Sequence, residues 1–394
     1  MTTRRLILTR SAALVGAAST SLLLPQIARA QSNKIRVGLM LPYTGTFGQI
    51  GLGIENAFRL AIDEKGGKLG GRDIEWFKVD DESEPSKGVE NASKLVQRDK
   101  VDVLIGTVHS GVALAMAKVA RENKTLLIVP NAGADAITGA QCAPNIFRSS
   151  FSNWQPGYST GVVAAQKGYK RAMTITWNYA AGQETVKGFA EAFEKGGGKV
   201  IKDLTLPFPN VEFQALLTEI AAQKPDVVFA FFAGGGAVKF VKDYDAAGLK
   251  KAIPLFGSGF LTDGTLQAQG PSAQGLFTTL HYADSLDIPK NNAFRKSFAL
   301  TYKQNADVYS VQGYDAAQIL GAGLAAVKGD FAKRDAMLAA MRKATVDSPR
   351  GKFTLSAAGN PVQDMYLREA KGNNNEYRAV AAKALADPAR GCKL

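Results

Sequence analysis

From Lys34 onward the chain alternates short apolar runs with amphipathic segments, so that nearly every strand signal is followed by a helix signal. "KIRVGLML" is apolar almost throughout, and "GIENAFRLAIDEKGG" sets Ile54, Phe58 and Ile62 on one helical face before a Gly-Gly stop. "DIEWFKVDD", "VDVLIG" and "TLLIVP" predict further strands, with helices over "PSKGVENASKLVQRD" and "GVALAMAKVAREN" between them. A strand that is apolar on both faces must be covered on both, and strands separated by helices pair in parallel. The pattern therefore demands an open α/β sheet with helices on each side.

The pattern breaks at "FRSSFSNWQPG" and then restarts. "RAMTITW", "KVIKDLTL", "DVVFAFF" and "IPLFGSG" read as strands, and "GQETVKGFAEAFEKGG", "FQALLTEIAAQK" and "AVKFVKDYDAAG" as helices. The 394 residues exceed the span of one core, so two sheets mean two lobes. After "GLFTTLHYADSLD" come "NAFRKSFALTYKQN", "VQGYDAAQILGAGLAAVKG" and "RDAMLAAMRKA", helices without strands of their own, followed by a strand-like "GKFTLSAAG". Such helices must bury their apolar faces on an existing layer. The expected division is residues 31–151 plus 284–349 in one lobe and 152–283 plus 350–394 in the other, with the chain crossing near Phe151, Ala283 and Arg350.

Residues 1–30 read as an export signal that is not part of the fold. "TRRLIL" is a basic n-region, "AALVGAASTSLLL" an apolar h-region and Ala28-Arg29-Ala30 a cleavage site. Arg4 and Arg5 after Thr3 fit a twin-arginine signal, with a general secretory signal as the alternative; either route leads to the periplasm. Removing the segment takes four arginines and lowers the formal charge from +13 to +9. The remaining lysines alternate with acids, as in "EAFEKGGGKVIKD", with no arginine run among aromatics, which is a solvated surface rather than a nucleic-acid footprint. Cys142 and Cys392 are the two cysteines, and an oxidising compartment permits a bridge between them.

Enzyme chemistry finds little support. "GLGIEN" lacks the last glycine of a dinucleotide fingerprint and comes too late after its strand. "GSGF" is no nucleophile elbow, His109 beside Ser110 is no triad, and two histidines with two distant cysteines make no zinc site. Neither a cofactor nor a metal is expected.

"VGLMLPYTGTFGQIGLGIENAFRLAIDEKGGKLGGRDIEWFKVDDESEPSKGVENASKLV", "VDVLIGTVHSGVALAMAKVA", "IVPNAGAD", "NYAAGQE", "YDAAGLK" and "GYDAAQIL" together resemble the periplasmic solute-binding proteins of the branched-chain amino acid transport type. The resemblance covers almost everything after the signal. It implies two doubly wound α/β lobes joined by three crossover strands, a ligand cleft between them, hinge closure, and a monomer that delivers its solute to the membrane permease of an ABC transporter.

In open α/β sheets ligands collect beyond the carboxyl ends of the strands. A helix beginning at Ser110 offers free backbone N–H groups and a hydroxyl, and the loop Asn131, Ala132, Gly133 offers backbone with little side-chain bulk, a pairing suited to a carboxylate. Ser110 could instead be a plain N-cap, but the resemblance implies that it grips the ligand carboxylate. His109 beside it could donate to the same group or could simply cap and pack. Where amino-acid binders of this type carry a threonine, this chain has Gly133; the acid that meets the ligand ammonium is replaced by Gly259, and Asn153 and Asn178 stand where aspartates are common. An ammonium buried without an anion costs several kcal/mol. With Tyr43, Phe47, Trp154, Tyr179 and Phe260 in the cleft loops, the expected ligand is an aromatic carboxylate of benzoate or phenylpropanoid type. A branched-chain or other amino acid or amide is the alternative, as is a ligand sensor on the same scaffold.

Overall fold

A computed structural model describes residues 34–394; the export signal lies outside the described residues. The elements in chain order are β1 (Lys34–Leu41), α1 (Gly48–Asp63), β2 (Asp73–Asp80), α2 (Pro85–Ser93), β3 (Val103–Ile105), α3 (Ser110–Glu122), β4 (Leu126–Val129) and β5 (Ile146–Arg148). They continue with α4 (Trp154–Gln166), β6 (Arg171–Trp177), α5 (Ala180–Lys195), β7 (Lys199–Leu206), α6 (Gln214–Gln223), β8 (Val227–Phe231), α7 (Gly234–Ala246) and α8 (Leu249–Ala252). Then come β9 (Leu255–Ser258), α9 (Leu266–Gln269), β10 (Phe277–Leu280), α10 (Pro289–Tyr302), α11 (Val308–Ala326) and α12 (Arg334–Lys343). Four strands close the chain: β11 (Thr345–Val346), β12 (Phe353–Leu355), β13 (Pro361–Lys371) and β14 (Asn374–Leu385).

Two sheets result. The first is parallel in the order β2-β1-β3-β4-β5. The second has a parallel core, β7-β6-β8-β9-β10, which β13, β12, β11 and β14 extend antiparallel. Both parallel cores share one winding, in which the first strand of each lobe sits between the second and the third. The reversal of strand order opens a crevice at the carboxyl ends of β1 and β3 in one sheet and of β6 and β8 in the other. β3, β4 and β8 are buried at every residue, as strands covered on two faces must be.

The strandless helices pack back on the first lobe. α11 lies on α1 so closely that a Cβ at Gly313 would come 2.1 Å from the Ile54 carbonyl oxygen, a contact only glycine allows. Asp307 and Ser310 close a capping box at its start.

Two elements depart from the sequence reading. The end of the expected break, "WQPG", instead opens α4, because Pro156 falls in the first helical turn, where its missing N–H has no partner to lose. β13 and β14 form a long antiparallel hairpin through Gly372, absent from the reading because "EAKGNNNEY" looks like a polar loop. Cys142 and Cys392 are joined in a disulfide that ties the tail beyond β14 to the loop before β5.

Three segments run between the sheets, and they are knitted together. Arg350 Nη2 donates to the Ser149 carbonyl at 2.7 Å, Gln363 Nε2 to the Ser150 carbonyl at 2.5 Å and Tyr366 Oη to the Arg350 carbonyl at 2.7 Å. His281 stacks on Phe151 with ring centroids 5.6 Å apart.

Candidate functional site

The strand ends of the two lobes face one another across a small cavity. Six aromatic rings wall it: Phe47 and Phe151, Tyr179 and Phe231, Phe260 and Tyr309. Ile50, Val108, Ala181 and Ala233 add apolar surface, and the polar wall is Ser110, Asn131, Gly133 and Asn153. No lining residue carries a charge. The cavity therefore suits a flat apolar body with one end that accepts hydrogen bonds.

Part of the polar wall is the start of α3. Ser110 is its first residue and His109 its cap: His109 Nδ1 accepts from the Gly111 N–H at 3.1 Å. The capping role considered for Ser110 is thus taken by His109, and the Ser110 hydroxyl is left for the cavity. The start of a helix carries partial positive charge; with the Gly111 amide committed to His109, a carboxylate beside Ser110 would meet that field and the Ser110 hydroxyl without any cation. His109 itself is neutral: burial pushes its pKa down to about 4, opposed by the Glu84 charge, and since Nδ1 accepts, the ring proton sits on Nε2. Its ring stacks on Tyr179 at 4.8 Å and meets Phe208 at 4.9 Å, which makes it lobe-to-lobe packing rather than a lining residue.

Asn131 Nδ2 donates to Gln312 Oε1 at 2.7 Å, and Gln312 Nε2 lies 3.3 Å from His281 Nε2, so the polar wall is wired through α11 to the connecting segment near Ala283. Asn153 Nδ2 donates to Glu184 Oε2 at 2.7 Å and lies 3.3 Å from Ser110 Oγ. Gly133 is required by space: a Cβ there would lie 2.2 Å from Asn153 Oδ1 and 2.6 Å from Phe151 Cε2. Ala132 commits its backbone elsewhere, its N–H to the Thr107 carbonyl and its carbonyl to Arg148 Nη1.

Of the residues expected from the sequence, Phe47, Ser110, Asn131, Gly133, Tyr179 and Phe260 line the cavity. Tyr43, His109, Ala132, Trp154 and Gly259 do not. The Tyr43 ring lies under the Lys78 ammonium at 3.9 Å, and burial together with the Glu55 carboxylate drives its phenol far above the ordinary range. Trp154 is buried away from the cavity, stacked on Tyr158 at 4.3 Å with Nε1 donating to Glu191 at 2.9 Å. Asn178 is exposed and accepts from Gln183 Nε2. Gly259 lies beneath the wall: a Cβ there would come 2.5 Å from both Arg368 Nη2 and Leu280 Cβ. An acid therefore has no room at this position, and the nearby carboxylate is Asp263, fully buried in an ion pair with Arg368 at 2.8 Å.

Sequence reasoning missed Phe151, Phe231 and Tyr309 as lining residues, and named Asn153 only as a lost acid. Phe231 closes an apolar run and reads as core, Phe151 stands among serines in the break between the lobes and reads as a crossover, and Tyr309 opens an apolar helix and reads as packing. Phe208, whose ring centroid lies 5.6 Å from that of Phe47 and 4.9 Å from that of His109, carried no signal between Pro207 and Pro209.

Comparison with known proteins gives the family. Residues 34–375 match the family model described as periplasmic binding protein. A Leu/Ile/Val-binding protein homologue of Brucella melitensis is 29% identical over 358 residues, covering 88% of this chain and 90% of that protein. A solute-binding protein of an ABC transporter from R. palustris, solved in complex with benzoate, is 56% identical with TM-score 0.89, covering 92% of this chain and 100% of that one. Another, from Rhodopseudomonas palustris BisB5 in complex with 3,4-dihydroxybenzoic acid, is 31% identical with TM-score 0.85, covering 90% and 99%.

Proposed function

The chain belongs to the periplasmic binding protein family, and from that premise we propose that it is the extracytoplasmic binding component of an ABC uptake transporter, with an aromatic carboxylate of benzoate type as its ligand. One observation carries the reading: a cavity walled by six rings, polar at one end through neutral donors and free of charged side chains. Burying a benzene ring among rings gains the hydrophobic term and favourable ring geometry. The carboxylate meets the start of α3, the Ser110 hydroxyl and the Gly133 loop, where charge-assisted hydrogen bonds are about twice as strong as neutral ones. The benzoate complex of the 56% identical R. palustris protein supports the same class.

The kinship with Leu/Ile/Val-binding homologues raises an amino acid as the second reading. Its ammonium would enter a cavity whose lining offers no carboxylate, at a cost of several kcal/mol. Glu184 stands behind Asn153 and already accepts from Asn153 Nδ2 and the Asp135 N–H.

The lobes close by rotation about the segments near Phe151, Ala283 and Arg350, dividing residues 31–151 plus 284–349 from 152–283 plus 350–394. A ligand that touches both lobes favours the closed form by its differential affinity alone. Residues 1–30 direct export, by the twin-arginine route, and the loaded monomer docks on a membrane permease. Calorimetry of the ligand-free mature protein against benzoate, 4-hydroxybenzoate and leucine tests the reading. Micromolar benzoate binding without leucine binding is expected; leucine binding with no response to either aromatic acid overturns it.

A further inference from the structure

Two carboxylates just outside the cavity form a bridge between the lobes. Glu184, in the first turns of α5 on the second lobe, presents Oε2 to two donors: the side-chain amide of cavity-lining Asn153 at 2.7 Å and the backbone N–H of Asp135, in the first-lobe loop after β4, at 2.9 Å. Asp135 Oδ1 in turn accepts the Trp154 N–H at 3.0 Å. With Asn153 Nδ2 turned to Glu184 and Ser110, its Oδ1 is left over Gly133, where the space is already filled. One carboxylate thus fixes the orientation of a lining amide and holds a loop of the opposite lobe.

We propose that Glu184 is a positioning residue for ligand capture, a second-lobe carboxylate that draws in the Asp135 loop and orients Asn153 as the cleft shuts over a benzoate-type ligand. The proposal rests on the aromatic-carboxylate reading. When the lobes part, the Asp135 N–H and Glu184 separate and both carboxylates regain water.

Closure then carries a proton signature. In the closed form burial, and next the Glu184 charge, push Asp135 up to about 8, and burial raises Glu184 as well. The charged groups facing the pair are Arg148 from β5, which lowers both, and Asp387 from the C-terminal tail, which raises both. Glu191 and Arg390, paired at 2.8 Å, lie beyond Trp154, and Tyr179 borders Glu184. An acid whose pKa is higher in the closed form takes up a proton on closing. Closure is therefore unopposed below the ordinary carboxylate range, weakens as pH climbs toward about 8, and levels off above.

The test uses the full mature chain with benzoate, by stopped-flow and by calorimetry in buffers of different ionisation enthalpy, from pH 5.5 to 8.5. Wild type is expected to bind more weakly as pH rises and to take up protons on binding. Glu184→Ala should weaken binding roughly ten- to a hundredfold, mostly through faster dissociation. Glu184→Gln keeps an acceptor but removes the charge; it should stay within a few-fold of wild type at neutral pH with a shallower pH slope and less proton uptake. Melting curves establish that each variant is folded, and Glu184→Gln decides if Glu184→Ala is not. Wild-type dissociation rate and pH slope in the variants overturn the latch, as does weaker binding with dissociation rate and slope unchanged. Wild type that ignores benzoate overturns the aromatic reading and the latch with it.

Discussion

Gly133→Ala tests the cavity geometry most directly. The new methyl would stand 2.2 Å from Asn153 Oδ1, 2.6 Å from Phe151 Cε2 and 2.8 Å from Asn153 Cγ, whereas carbon atoms in contact settle at about 3.5–4.0 Å. Each neighbour must therefore retreat by about 1 Å, and neither is free to do so. Asn153 is held by Nδ2 to Glu184 at 2.7 Å and by its backbone N–H to the Gly133 carbonyl at 2.7 Å. Phe151 is backed by Phe260 at 4.9 Å and His281 at 5.6 Å between ring centroids. Overpacking of this kind costs about 1–3 kcal/mol, and because Asn153 and Phe151 line the ligand cavity, the cost falls on the bound form. The dissociation constant for benzoate should rise about five- to 150-fold. Calorimetric titration of the variant beside wild type reads this, with melting curves run without ligand to separate lost affinity from lost fold. Binding within twofold of wild type would refute the view that Gly133 is there to admit Asn153 and Phe151.

Three further outcomes follow from the same structure. Ser110→Ala should weaken benzoate about ten- to a hundredfold by removing one donor to a charged group, and weaken benzamide much less, as paired titrations would show; equal losses for both would count against a carboxylate at α3. Replacing Cys142 and Cys392 by serine opens a loop spanning 250 positions, worth about 5 kcal/mol in the chain-entropy account, so scanning calorimetry should show a lower melting temperature, and an unchanged one would mean the tail contributes nothing. Asp263→Ala leaves the buried Arg368 guanidinium without its anion and should destabilise by about 3–5 kcal/mol; a denaturant midpoint equal to wild type would disprove that pairing.

Much of the fold was legible because its information is local. Apolar runs of strand length, helix faces of period near 3.6 and Gly-Gly stops each reflect a neighbourhood of a few residues, and alternation of the two elements leaves few layer arrangements open. The exceptions are equally physical. α4 hid behind a Pro-Gly pair that only helix register makes harmless, and the hairpin of β13 and β14 hid because a polar turn carries no mark of its distant partner β10.

The site divides along the same line. The sequence by itself determined that Gly133, Asn153, Asn178 and Gly259 are not acids and that aromatic residues stand in the loops around them, since residue type is written in the chain. Tertiary structure alone decided which rings face inward: Phe151, Phe231 and Tyr309 line the cavity while Trp154 and Tyr43 turn away. It also decided that His109 rather than Ser110 caps α3, that Gly259 gives way to Arg368, and that Glu184 reaches the opposite lobe. Each of these depends on the distance between residues far apart in the chain, and such distances are fixed only when the two sheets pack and bring their strand ends together.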